Sequence, residues 1–261
     1  MRSLRLAGIF LRVNAMNELQ YRANFFVQLL QSLIALVAGL AVIGLVFSHT
    51  DQLRGWTQPE LLAVMGVHIV MGGLIGAFIQ PNMIRLTEDV RDGRLDFMLT
   101  KPEDAQVLVS VREFRVWRLV DVAVGGVVIA FALAGLDSGL SLIGVAAFFV
   151  AIFVGATMIY CFWLIITTFA FWIVRLDEIV ELFEGIYQAG RWPVTIYPGW
   201  LRIGLTFLVP IAFAVTVPAE ALAGRLTVET LALAVAFALF LLLVTRAWWR
   251  FGLRHYSGAS A

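Results

Sequence analysis

Cysteine is almost absent from this chain. Cys161 stands alone among 261 residues, which excludes an internal disulfide and a cysteine-ligated metal cluster. It lies in an apolar run and reads as a small buried hydrophobe. Lysine is equally scarce: Lys101, in Thr100-Lys101-Pro102, is the one lysine among 19 basic residues. A glycine-rich phosphate loop ending in Gly-Lys-Ser/Thr is therefore missing, and with it the means to bind and hydrolyse ATP unaided. Three histidines, His49, His68 and His255, fall in a connection, an apolar run and the C-terminal stretch. They do not combine into a zinc site or a nucleophile–base pair, so the chain reads as non-catalytic. Charge as a whole is thin, at 14% of residues against roughly 25% in a soluble domain. A water-facing surface needs that charge and a lipid-facing one excludes it. With 61% hydrophobic residues and a mean hydropathy of +0.90, one membrane domain is expected and no separate soluble one.

Long apolar runs are what the sequence has in abundance. A helix needs about 20 apolar residues to cross the hydrocarbon core. Candidate spans are Phe25 to Phe47, Leu61 to Ile79 (ended by Gln80-Pro81), Leu119 to Leu136, Leu140 to Val174, Leu201 to Val217 with Pro210 inside it, and Leu231 to Val244. The fold expected is an all-α integral membrane protein of six transmembrane helices. Residues 1–24 carry Arg2, Arg5, Arg12 and Arg22 among Leu6, Ile9, Phe10, Val13 and Met16. That spacing suits an amphipathic helix on the membrane surface, rather than a cleavable signal. Residues 25–246 then form the permeating domain, and 247–261 a tail.

With the N-terminus inside, seventeen of the 19 basic residues fall in inner segments, leaving Arg54 and Arg225 outside. The positive-inside rule favours this topology, with both termini cytoplasmic in a bacterial-type plasma membrane. Trp117, Trp172, Trp200, Trp248 and Trp249 fall near span ends, where amphipathic rings prefer to sit. Nucleic acid is not an expected partner; the lipid bilayer is. On this topology the segments 80–118 and 175–202 face the cytoplasm.

Ionisable groups within spans are rare and informative. His68 is read as a ring hydrogen-bonded between helices or as a substrate contact. Asp121 is read as a partner of Arg118 or Arg115, or as part of a path. Gln28 and Gln31 share a face at i, i+3 and serve as interhelical glue or line a path. The segment Glu88 to Pro102 alternates charge signs, breaks at Gly93, then offers Leu95, Phe97, Met98 and Leu99. It suits docking on a soluble partner or, equally, a solvated loop whose charges satisfy one another.

Three stretches carry a likeness to a known family: Arg91-Asp-Gly-Arg-Leu-Asp-Phe-Met-Leu-Thr-Lys-Pro102, then Tyr197-Pro-Gly-Trp-Leu-Arg202 leading into Phe207-Leu-Val-Pro-Ile-Ala-Phe213, and the ending Arg254-His-Tyr-Ser-Gly-Ala-Ser260. In their order the chain resembles type-two ABC transporter permeases, the small six-span export subunits. The resemblance implies an N-terminal interfacial helix and a cytoplasmic coupling helix within about 85–104. It implies a dimeric ATPase partner that binds ATP and magnesium, no cofactor on this chain, and a second permease half, identical or related. Arg91, Gly93, Arg94, Leu95, Asp96, Phe97, Leu99 and Pro102 would shape the ATPase contact. Asp177, Glu178, Glu181 and Glu184 would form a second cytoplasmic contact. Pro210 and Pro218 would bound a broken outer region, and export is favoured over import. An ion-coupled carrier and a non-transporting scaffold remain the alternative readings.

Overall fold

The computed structural model describes residues 8, 10, 12–16, 18, 22–136, 141–172 and 177–256. Most of the 1–24 segment lies outside them. Among the described residues from Arg22 onward ten helices follow in order: α1 Arg22–Phe47, α2 Gln58–Arg91, α3 Leu95–Leu99, α4 Ala105–Ser110, α5 Leu119–Ala134, α6 Leu142–Thr168, α7 Asp177–Tyr187, α8 Gly199–Leu208, α9 Ala212–Leu222 and α10 Val228–His255. No β-strand occurs among the described residues. Five helices are long and apolar enough to cross a membrane, six if the bent pair α8–α9 counts as one. The fold is an all-α integral membrane protein.

Turn residues 48–57 lie at one end of the bundle, here the near face; residues 92–115 lie at the other, the far face. At the near face α2 starts with a capping box. Thr57 N–H and its hydroxyl both donate to Glu60, at 2.7 and 3.0 Å, with Pro59 in the first turn. Glu60 is buried, and its charge is met by Arg225 at 2.7 Å, whose guanidinium lies 5.0 Å over the Trp56 ring.

Helix α2 is the axis of the bundle. It packs along α5 so closely that a Cβ on Gly66 would meet Ile129 N at 3.0 Å, and one on Gly73 would meet Val122 N at 2.9 Å. Small residues permit that approach, and dispersion contacts replace the water-driven term that lipid does not supply. The α6–α9 contact is similar: a Cβ on Gly155 would fall 2.6 Å from the Ala214 Cα.

The sequence reading ends the second span at Gln80-Pro81, and the structure corrects this. Helix α2 runs on unbroken to Arg91 through a π turn at Ile75–Ile79. A proline inside a helix collides with the carbonyl four residues back, which for Pro81 is Ala77. The π turn opens the helix there, and the Ala77 carbonyl accepts Arg115 N–H at 3.1 Å instead. Two further π turns, Gly204–Leu208 and Ala212–Thr216, also end two residues before a proline, Pro210 and Pro218. Pro218 is absorbed like Pro81, because Val217 before it keeps helical angles. Pro210 is not. Val209 turns extended, and α8 meets α9 at 79°.

A larger correction concerns the fifth crossing. The sequence reading assigns it to Leu201–Val217 and leaves 175–202 on the far face. The contacts of 184–195 climb the length of α2 instead. Gln80 donates to Glu184 at 2.9 Å; Tyr187 donates to the His68 carbonyl at 2.7 Å; Trp56 donates to Thr195 at 3.0 Å. The chain thus reaches the near face by residue 195. Helices α8 and α9 then dip and return. Arg202 donates to the Thr195 carbonyl at 2.8 Å near the start of α8. Phe207 and Phe213 meet at depth, 6.3 Å apart. At the other end of α9, the Ala221 carbonyl lies 3.4 Å from a Cβ built on Gly144, beside the start of α6. The bent pair is re-entrant from the near face, with Val194 N–H satisfied by Thr216 at 3.1 Å. Arg191 and Arg202 therefore leave the far-face basic set. Helix α10 also outruns its expected end at Val244, continuing through 247–255, residues taken as the start of the tail.

Candidate functional site

Between α1, α2, the start of α5 and α7 lies a cavity of about 390 Å³. Gln28, Gln31, His68 and Asp121, picked from the sequence as intramembrane polar residues, all line it. Asp121 is well satisfied. Gln28 donates to its two oxygens at 3.0 and 2.9 Å, Ser32 donates through its hydroxyl, and Arg118 stands 3.5 Å away. One ion pair and the Gln28 amide bond thus coexist around the same carboxylate. Ser32, which fixes the geometry from one turn along α1, was not picked from the sequence.

His68 is buried beneath Tyr187, the two rings stacked 4.4 Å apart, and its Nδ1 has no hydrogen-bond partner. The Tyr187 hydroxyl donates to the His68 carbonyl at 2.7 Å. Helix α7 and the turn at 188–192 that follows it present Phe183, Glu184, Tyr187, Gln188, Arg191 and Trp192 to the cavity. From Glu184 onward these recur at i, i+3, i+4, i+7 and i+8, the spacing of one helix face. That spacing is visible in the sequence, but the carboxylates at Glu181 and Glu184 drew attention to a cytoplasmic surface instead. Glu181 is exposed, and Glu184 is exposed yet lines the cavity. The side chains of Asp177 and Glu178 lie outside the described residues.

At the far end of α2 the chain turns at Gly93, whose φ of +69° suits glycine, into α3. Leu95 and Met98 are buried beneath that helix, while Phe97 is 73% and Leu99 38% exposed. Pro102 is exposed as well, so Phe97, Leu99 and Pro102 form an outward apolar patch beside exposed Thr100 and Lys101. Leu95 points inward and anchors α3 from below. The surrounding charges satisfy one another around Asp89, which is buried and faces Arg112 at 2.6 Å, Arg94 at 3.2 Å and Arg85 at 3.5 Å. Asp92 pairs with Arg94 at 2.8 Å and Arg91 at 3.4 Å. Beside this hub, buried Asn82 makes four bonds: it donates to the Phe78 and Glu113 carbonyls, both at 2.8 Å, and accepts from Arg112 and Glu113 N–H at 2.9 and 2.8 Å. Asn14 and Glu18 also bond to the 112–117 segment, tying the N-terminal region to it.

The model of the family described as "ABC-2 family transporter protein" matches residues 33–260. The chain belongs to the ABC-2 transporter family. No curated protein and no solved structure matches it.

Membership makes this chain a transmembrane transport subunit, as the resemblance in its sequence implies. In this ABC-2 protein one continuous helix, 34 residues long, connects the cavity to the protruding α3. The sequence reading names both ends of that helix but breaks it at Pro81 between them. It also misses Asp89 and Asn82, each of which joins near neighbours to the distant 112–113 turn.

Proposed function

We propose that this chain is the permease subunit of an ATP-driven exporter in a bacterial-type plasma membrane, with both termini cytoplasmic. Two permease halves form the pathway, and a separate dimeric ATPase binding ATP and magnesium drives it. The observation that carries this reading is the lever. An apolar patch at Phe97, Leu99 and Pro102 stands at the end of the helix that also lines the cavity. A push on that patch moves α2 as a body, because the Asp89 and Asn82 networks lock α3 and the 112–113 turn to its last turns. Arg91, Gly93, Arg94 and Asp96 shape the turn that holds the patch in place. Export is favoured because the near-face turn 48–57 is short and the α8–α9 pair folds back into the bundle, which leaves little platform for a substrate-delivery protein.

The test is a gentle detergent pull-down of the tagged chain from its native membranes, with ATP hydrolysis assayed. A co-purifying ATPase is expected. Phe97→Asp should lose at least about tenfold of that association while leaving the melting temperature unchanged, since the ring is exposed and apolar contact is what the substitution removes. Recovery of the chain alone, inert toward ATP, would sink the reading and return the carrier or scaffold.

A further inference from the structure

Arg191 stands apart from the other charged residues of the cavity. Asp121 is saturated by Gln28, Ser32 and Arg118, and Glu184 accepts from Gln80. Arg191 makes no ion pair and no side-chain hydrogen bond among the described residues, though it is exposed and lines the cavity. Its depth matters. A Cβ built on neighbouring Gly190 would lie 3.3 Å from His68 Nδ1 and 2.7 Å from the Ile211 side chain. His68 is ten residues into α2, about 15 Å below the near end of that helix. An exposed guanidinium at that level does not face hydrocarbon; it faces water, a ligand or another protein surface. Opposite it, α1 and α2 supply an apolar wall of Val42, Ile43, Met65 and Ile69. One unpartnered cation beside an apolar wall, in a space of about 390 Å³, is the complement of a small amphipath with an anionic head.

We propose that the cavity binds an amphipathic molecule through its carboxylate or phosphate head, held by Arg191, with its apolar part along α1 and α2. The guanidinium presents a planar fork of donors that matches such a head bidentately. A cationic amphipath would meet only Glu184, since Asp121 is saturated, and Glu184 is bonded to Gln80, about 18 Å further along α2 than His68 and away from the apolar wall. The inference rests on the permease reading for its purpose, but not for its test, because binding requires no ATPase.

The full chain, reconstituted in nanodiscs of zwitterionic lipid, is titrated calorimetrically with decyl phosphate, against empty nanodiscs. Decyltrimethylammonium and decanol serve as the cationic and neutral controls. Saturable binding of decyl phosphate is expected, with the two controls weaker by about tenfold or more. Arg191→Gln should weaken decyl phosphate binding about tenfold or more and erase its preference over decanol. Gly72→Leu, which leaves every charge in place but fills space beside Tyr187, should abolish binding of the phosphate and of decanol alike. Absence of saturable binding to the native chain overturns the inference, and so does equal binding of the cationic probe. An Arg191→Gln chain that binds normally but changes its oligomeric mass by light scattering also overturns it, assigning the arginine to a second copy. Failure of the ATPase pull-down with intact phosphate binding would sink the permease reading alone.

Discussion

Asp89 shows how much a single residue decides at the far face. Its carboxylate is buried and faces three arginines drawn from α2, the turn after it and the 112 segment. Removing its charge leaves Arg112 without an anion, while Arg94 keeps Asp92 and Arg85 keeps Glu88. Asp89→Asn should therefore lower stability by about 1–3 kcal/mol, less than a fully buried pair would cost. Thermal unfolding in detergent checks this: a melting temperature equal to that of the native protein would assign the hub no structural role. In the sequence Asp89 is one of several alternating charges between Arg85 and Arg94. Burial singles it out, and burial depends on where Arg112 is brought by the chain's return.

At the scale of elements, three prolines follow three π turns with two outcomes. Pro81 and Pro218 continue their helices, and Pro210 breaks one. Composition does not separate them; the backbone angles of the preceding residue do, and those are set by packing. Helix α10 is tied to the far face by Arg246, which donates to Asp104 and, at 2.7 Å, to Gln106, itself bonded to Tyr160 at 3.3 Å. Hydrogen bonding to Arg246 holds the Asp104 carboxyl below its ordinary value of 3.8. A depressed folded value means the tie contributes fully above the unfolded pKa and is lost as pH falls through the folded one. Neutral pH therefore keeps the tie, and acid below about pH 4 removes it. Melting temperatures of the native protein and Asp104→Asn should differ at pH 7 and converge as the medium is acidified below that point. A constant difference across the range would show the pairing to be irrelevant to stability.

For the molecule as a whole, the decisive claim is the path of residues 184–222. Cys161 is fully buried, so introduced cysteines report cleanly to a membrane-impermeant thiol reagent. Gln52 is exposed at the near face, Lys101 at the far face, and a side chain at Gly199 would meet nothing within 4 Å. Gly199→Cys should label from the same side of the membrane as Gln52→Cys and from the side opposite to Lys101→Cys. Labelling together with Lys101→Cys would restore the topology read from hydropathy.

The sequence by itself determined that this is a polytopic helical membrane protein, because lipid selects directly for apolar length and against charge. It also marked Gln28, Gln31, His68 and Asp121, since a polar group within an apolar run is conspicuous whatever surrounds it. The fifth crossing escaped the same logic. Residues 177–197 carry four acids, Arg191 and Pro193, and average as a soluble connection, while 201–217 average as a span. Hydropathy counts side chains without knowing which ones face lipid. Only the tertiary structure decided that the polar stripe from Glu184 to Trp192 turns toward a cavity and that the apolar run folds back on itself. The reason is that a segment shielded by α1 and α2 answers to its protein neighbours rather than to the bilayer.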